Sequence, residues 1–337
     1  MTSPLVRFIE RHQDDWDGPV YWLYPCDLEA TLQGVRPLRG DRVWVDDCRF
    51  LGPLAALGID AGIGLQPAEL DTCAHVVIQY PRARAWFEAV LECAATAPPT
   101  ATIWVMGHNR SGINSALPAM ERVLARAEPD DHARHCVLLK GRPHRDARAT
   151  AWPPAFTTWS DSATGDLQVH SLPGVFSHGH LDAGTRILLQ HLPPLRGRVM
   201  DMACGAGVLA AVAARQGATV TAVDASVLAV DSAKATLTAA SLKADIYLSD
   251  AWAAVKGTFD LVLCNPPFHQ GSDVDIIAAF DMLGGAARHL SADGELWVVA
   301  NAFLPYPKLL ESHFGSVSSV ASDGRFRVYR ARSPRVS

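Results

Sequence analysis

Asp201-Met-Ala-Cys-Gly205-Ala-Gly207-Val-Leu-Ala210 decides the fold, because it joins an apolar run to a helical one through glycines. Arg198 to Ala203 reads as a strand and Gly207 to Gln216 as a helix. Thr219 to Val223 reads as a second strand, closed by Asp224. The three together make a βαβ unit, the building block of a parallel sheet covered by helices. Outward from it the alternation continues. Upstream, Leu181 to Leu192 has helical apolar spacing. Downstream come a helix at Ser226 to Leu242, strands at Asp245 to Ser249 and Phe259 to Cys264, a helix at Ile276 to Leu290 and a strand at Glu295 to Ala300. Val317 to Val320 and Phe326 to Ala331 read as a closing strand pair.

A strand, a glycine turn and a helix N-terminus present backbone amides as a polar, slightly positive cradle. Gly205 and Gly207 allow a ligand to approach the backbone closely, and Asp224 can accept hydrogen bonds from both hydroxyls of a ribose. Gly205-x-Gly207-x-x-Ala210 also satisfies the dinucleotide fingerprint, so a nicotinamide or flavin enzyme stays open on the loop alone. Asp201, four residues before the first glycine, and the motif after the fourth strand favour S-adenosylmethionine. Asp250 is placed to meet an adenine amine with Ala251 beside it, although a turn aspartate fits equally well. Asp182 is a candidate helix cap, and Thr185 a candidate contact to the methionine end of the cofactor. His178-x-His180 has no third ligand at usable spacing, so no metal is expected.

Asn265-Pro266-Pro267-Phe268 closes the fourth strand, at the carboxyl edge where open α/β sheets hold their ligands. An exocyclic base amine is a poor nucleophile, because its lone pair is delocalised into the ring. The Asn265 side-chain oxygen and the Pro266 carbonyl can accept the two amine hydrogens, localise that pair and aim it. Two prolines stiffen the loop and remove competing donors. Phe268 offers a face on which a splayed-out base can stack.

The first half carries a fainter version of the same series. Arg42-Val-Trp-Val-Asp-Asp parallels Arg198-Val-Met-Asp, His75-Val-Val-Ile-Gln-Tyr-Pro parallels Asp260-Leu-Val-Leu-Cys-Asn-Pro, and Thr102-Ile-Trp-Val parallels Glu295-Leu-Trp-Val. On that pairing the first half is short by one αβ unit and has Arg49 where Gly205 stands. A duplicated domain that lost its nucleotide site is the expectation. A linker is expected over Ala151 to Pro173, where prolines, serines and threonines break the periodicity.

These residues resemble the bacterial small-subunit ribosomal RNA methyltransferase C family, guanine-N2 methyltransferases. The likeness runs through Leu181-Asp182-x-Gly184-Thr185, the Asp201 to Leu209 loop, Asn265-Pro266-Pro267-Phe268-His269, Val299 to Pro307 and Gly324-Arg325-Phe326-x-Val328-Tyr329-Arg330. Asn109-Arg110-Ser111-Gly112 and Ala133 to Cys136 extend it to the N-terminal half. The resemblance implies an α/β fold of two tandem Rossmann-like class I methyltransferase domains, residues 1–165 and 166–337. The first would be degenerate and serve RNA binding and support; the second would be catalytic. It implies Asn265, Pro266 and Phe268 as catalytic, Asp201, Gly205, Gly207, Asp224, Asp250, Asp182 and Thr185 around S-adenosylmethionine, and Phe176, Pro267, His269 and Arg330 toward the substrate. The substrate implied is N2 of a guanine in 16S ribosomal RNA or the small subunit. Alternatives are a guanine of large-subunit RNA, or a non-catalytic RNA-binding or chaperone module. The chain departs from the family at Ala203, where glycine is commoner, and at His178, where arginine is.

Composition is compatible with this reading. The 337 residues suffice for two cores, and 49% hydrophobic with 19% charged residues is the balance of a globular protein. No apolar run approaches the ~20 residues of a membrane span, and the first residues lack a secretory pattern, so a cytoplasmic monomer is expected. Seven cysteines without a Cys-x-x-Cys pair argue against zinc, iron–sulfur or a disulfide framework. A net charge of -5 is unusual for an RNA partner, but two basic tracts, His132 to Arg148 and Arg325 to Arg335, supply local positive charge.

Overall fold

A computed structural model of the chain describes residues 3–68, 70–145, 152–266 and 273–335, with side chains of 273–280 left aside. The chain divides into two compact units, Met1–Ala155 and Phe156–Ser337.

In the first unit the strands are β1 (Val20–Leu23), β2 (Arg42–Val45), β3 (Asp60–Ile63), β4 (His75–Gln79), β5 (Thr102–His108), β6 (Arg126–Ala133) and β7 (Cys136–Arg142). Helices α1 (Pro4–His12), α2 (Leu28–Gly34), α3 (Leu51–Ala56), α4 (Arg84–Ala94) and α5 (Ala116–Val123) alternate with them. The sheet order is β3-β2-β1-β4-β5-β7-β6, parallel except at β7 and β6.

The second unit opens on a short antiparallel pair, β8 (Thr157–Trp159) and β9 (Val169–Ser171), then α6 (Ala183–Leu189). It continues with β10 (Arg198–Met202), α7 (Val208–Arg215), β11 (Thr219–Asp224), α8 (Val227–Ala239), β12 (Asp245–Leu248) and β13 (Phe259–Cys264). The remainder is α9 (Asp273–His289), β14 (Leu290–Asn301), α10 (Tyr306–His313), β15 (Phe314–Ser322) and β16 (Phe326–Pro334). Its sheet order, β12-β11-β10-β13-β14-β16-β15, is that of the first unit.

The duplication is therefore complete, and the expected pairing needs correction. β1, not β2, holds the place of β10, so no αβ unit is missing; Tyr24-Pro25-Cys26 follows β1 where Ala203-Cys204-Gly205 follows β10. The reason is length. Val-Tyr-Trp-Leu followed by a seven-residue helix is too short to show periodicity. The expected linker also contains structure: β9 is fastened to α8, whose Ser232 and Thr236 hydroxyls accept from the Leu172 and His170 amides, both at 3.0 Å.

β10 and β13 are buried on both faces, as central parallel strands require. α7, Val-Leu-Ala-Ala-Val-Ala-Ala-Arg, is nearly all small and apolar, and α8 meets it with Ala233 and Leu237. Those faces bring the β10–α7 turn tight onto the sheet. Because β10 pairs with β11 on one side and β13 on the other, the strand order reverses there, and a crevice is left at the carboxyl ends. Met202 lies beside Cys264, which sets the glycine loop next to Asn265.

Candidate active site

The glycine loop is held from beneath by Asp201. This carboxylate is buried, accepts from the Ala210 amide at 2.8 Å in the first turn of α7, and keeps its other oxygen without a hydrogen-bond partner. Burial raises its pKa to about 7, against the stabilising Ala210 bond and with a further push from Asp224. Gly207 is the N-cap of α7 at φ 75°, and a Cβ there would stand 2.9 Å from the Ala233 backbone, so only glycine fits. Gly205 has φ 51° and open space beside it, which leaves its face free for a ligand. Ala203 also lies at positive φ, 59°, a conformation that costs an alanine about 1–2 kcal/mol. The departure seen in the sequence is thus a strained turn.

Asp224 closes β11 and braces the loop: one oxygen accepts from Gly205 and the other from Ser226, each at 3.0 Å. Each oxygen retains acceptor capacity for ribose hydroxyls. Beyond β12, Asp250 is exposed, and the turn behind it is fixed by the Ser249 hydroxyl, which donates to the Ala251 carbonyl at 2.9 Å and accepts from the Ala254 amide at 3.0 Å.

The contact that sequence reasoning missed concerns Asn265. Asp182 caps α6 through the Thr185 amide at 2.8 Å, as its spacing suggested. The same carboxylate oxygen also accepts from Asn265 Nδ2 at 3.0 Å, and Thr185 Oγ1 accepts from that nitrogen at 2.9 Å. A carboxylate oxygen accepts only, so the amide orientation is fixed chemically. With Nδ2 engaged on α6, Oδ1 is the free end. Asp182 and Thr185, first assigned to the cofactor, are thereby brought to Asn265 across more than seventy residues of chain. No local pattern encodes such a contact; the only clue was that both segments flank carboxyl-edge elements.

Pro266 is buried at the end of the strand. Pro267, Phe268 and His269 lie outside the described residues. Two large aromatics of this unit stand well exposed: Phe176, 56% accessible, on the segment leading to α6, and Phe303, 79% accessible, just past the carboxyl end of β14. Phe303 was not singled out from sequence, although an aromatic directly after a buried strand was its signal. Arg330 is not gathered into the Asn265 network. It faces Glu295 through a two-pronged ion pair, with Nε–Oε2 at 2.8 Å, and lies over Trp297. His178 bonds the hydroxyls of Ser171 and Thr157 through its two ring nitrogens, at 3.1 and 3.2 Å. All seven cysteines are free, and burial raises the Cys204 thiol well above its ordinary range, which removes it as a nucleophile. No helix among the described residues is long and apolar enough to cross a membrane.

The crevice thus offers a glycine cradle, carboxylates at two strand ends and one pre-aimed amide oxygen. Comparison with known proteins gives this geometry its context. The family model described as methyltransferase small domain matches residues 166–330, and that described as methyltransferase small domain N-terminal matches residues 55–156. Ribosomal RNA small subunit methyltransferase C of Erwinia tasmaniensis is 37% identical over 99% of this chain and 98% of its own length. The protein of that name from Yersinia enterocolitica is 35% identical over 99% and 97%. Among solved structures, a 16S rRNA N2 methyltransferase of T. Thermophilus, in complex with AdoMet and guanosine, superposes with a TM-score of 0.86. It is 25% identical, over 98% of this chain and 92% of that one.

Proposed function

The chain belongs to the ribosomal RNA small subunit methyltransferase C family, and from that premise we propose that it methylates the exocyclic N2 amine of a guanine in 16S ribosomal RNA, with S-adenosylmethionine as donor. The observation that carries the reading is the locked amide of Asn265, with Nδ2 on Asp182 and Thr185 and Oδ1 left to accept.

The residues fit the cofactor. Gly207 and Gly205 provide a cradle that a Cβ would fill or strain, and Asp201 presents a buried oxygen without a partner behind it. Asp224 would take the ribose hydroxyls, and Asp250 with Ala251 the adenine edge. When bound, the cofactor supplies an electrophilic methyl group on a sulfonium. The chain's own part is to prepare the amine. Asn265 Oδ1 and the Pro266 carbonyl accept its two hydrogens, which localises the nitrogen lone pair and aims it, an orientation effect realised as charge shifts off the ring. Asp182 and Thr185 act through Asn265 and are positioning residues. Phe268 is the proposed stacking face, while the exposure of Phe176 and Phe303 suits them to hold a base outside its helix. Pro267 and His269 complete the substrate side, and Arg330 would reach phosphate only by leaving Glu295.

The first unit is proposed to support RNA. Arg110 follows β5, and Arg134 and His135 form the β6–β7 turn at the same sheet edge, where Asn109 donates to the His135 carbonyl at 2.7 Å. Neither Arg110 nor Arg134 has an ion pair among the described residues, so their charge is available to phosphates despite the net -5.

The test is transfer of labelled methyl groups to small ribosomal subunits from a strain lacking the enzyme, followed by nucleoside analysis. N2-methylguanine in 16S RNA is the expected product. Label in adenine, in protein or in large-subunit RNA would overturn the substrate assignment. Absence of cofactor binding by calorimetry would overturn the enzymatic one.

A further inference from the structure

At the carboxyl edge of the first sheet a slot is lined by Tyr24, which follows β1, by Leu65, which follows β3, and by Trp86 in the first turn of α4. Trp152, on the segment after β7, packs against both aromatics. Its ring centroid lies 5.8 Å from that of Tyr24 at 39° and 5.9 Å from that of Trp86 at 34°, and its indole N–H donates to the Leu65 carbonyl at 2.5 Å. The walls are themselves fixed. The Tyr24 hydroxyl and the Trp44 indole both donate to the Gly64 carbonyl, at 2.9 and 2.8 Å, and Tyr24 meets Trp86 edge-on at 5.1 Å.

Leu65 follows the third strand of its sheet as Ser249 and Asp250 follow the third strand of the other, so the slot has the topological place given above to an adenine ring. Two aromatic walls and one backbone carbonyl suit a flat ring with an N–H at its edge. We propose that the first unit retains a binding slot for a flat, N–H-bearing heteroaromatic ring, and that Trp152 occupies it in cis. A tethered occupant competes at a high effective concentration, so free ligand is excluded and the chain leaving β7 is pinned to the sheet edge. The occupancy concerns the first unit alone and stands apart from the substrate assigned to the second.

The test uses the full chain, with indole and adenosine as probes. Trp152→Ala lowers the unfolding midpoint of the first unit by several degrees, and added indole or adenosine raises it again, because a cavity shaped for a ring rebinds one. The wild-type midpoint stays unmoved by either probe, and methyl transfer by the second unit is unchanged in the variant. Trp152→Phe keeps a ring and loses the N–H, so its midpoint falls less; it serves as the check should the alanine variant not fold. A Trp152→Ala midpoint equal to wild type, a lowered one that neither probe moves, or a Trp152→Phe midpoint equal to wild type overturns the proposal.

Discussion

The two sheets share one strand order and differ in what their loop amides bond to. In the first, the amides of Cys26 and Asp27 after β1 donate to Gln79 Oε1 at 3.0 and 2.8 Å, and Gln79 Nε2 donates to Thr31 at 2.9 Å. The donors that would greet a ligand are thereby spent on a side chain at the end of β4, and aromatic rings fill the volume beside them. In the second, β13 ends in Cys264, which makes no such cap, and the next side chain, Asn265, is tied to α6 instead. Both units keep a carboxylate near this edge raised to about 7, chiefly by desolvation: half-buried Asp46 after β2 in the first and fully buried Asp201 in β10 of the second. A cofactor site can therefore be lost by satisfying its donors internally, with topology and even a strained carboxylate left in place.

Five substitutions probe that difference, from the largest effect on transfer to none. Asn265→Ala should slow methyl transfer by ~100-fold or more, the scale of losing a preorganised polar contact at the reacting atom, while calorimetric affinity for the cofactor stays nearly intact. Equal loss of both would assign Asn265 to the cofactor instead of the amine. Asp182→Ala should give a smaller loss, and none when added to Asn265→Ala, since the carboxylate acts through the amide. The pH dependence is subtler. An aspartate whose pKa in the fold is raised to about 7 binds more protons native than unfolded, so stability is full below about pH 4 and falls as pH rises toward 7, by about 1.4 kcal/mol per pH unit for one group. Urea titrations of Asp201→Asn should show that slope removed from the second unit's transition only, and Asp46→Asn should remove it from the first's. A slope that survives both substitutions would locate the titration elsewhere. Gln79→Ala should leave transfer unchanged and weaken the first unit by about 1–3 kcal/mol in denaturant, the cost of stranding two loop amides. A gain of cofactor binding in that variant would mean that the donors alone, and not the filled volume, separate the two units.

Much of the second unit was legible along the chain. β10, α7, β11 and β13 lie within a residue or two of where apolar spacing put them, because central parallel strands and buried helices carry dense, uninterrupted patterns. α10, β8 and β9 were not read, being short and half-polar. In the first unit the short β1 escaped notice, and β2 was consequently paired with β10, while the pairings of β4 with β13 and of β5 with β14 were in step.

The sequence by itself determined the βαβ alternation, the glycine turn between β10 and α7 and the presence of an asparagine followed by two prolines after the fourth strand, since each depends on neighbours a few residues apart. The tertiary structure alone decided which end of that asparagine is free, that Arg330 is held by Glu295, and that the first unit's loop is capped by Gln79 and its edge filled by Trp152. Those contacts join segments separated by more than thirty residues. Hydrogen-bond direction and ring packing are properties of what meets in space, which local spacing does not encode.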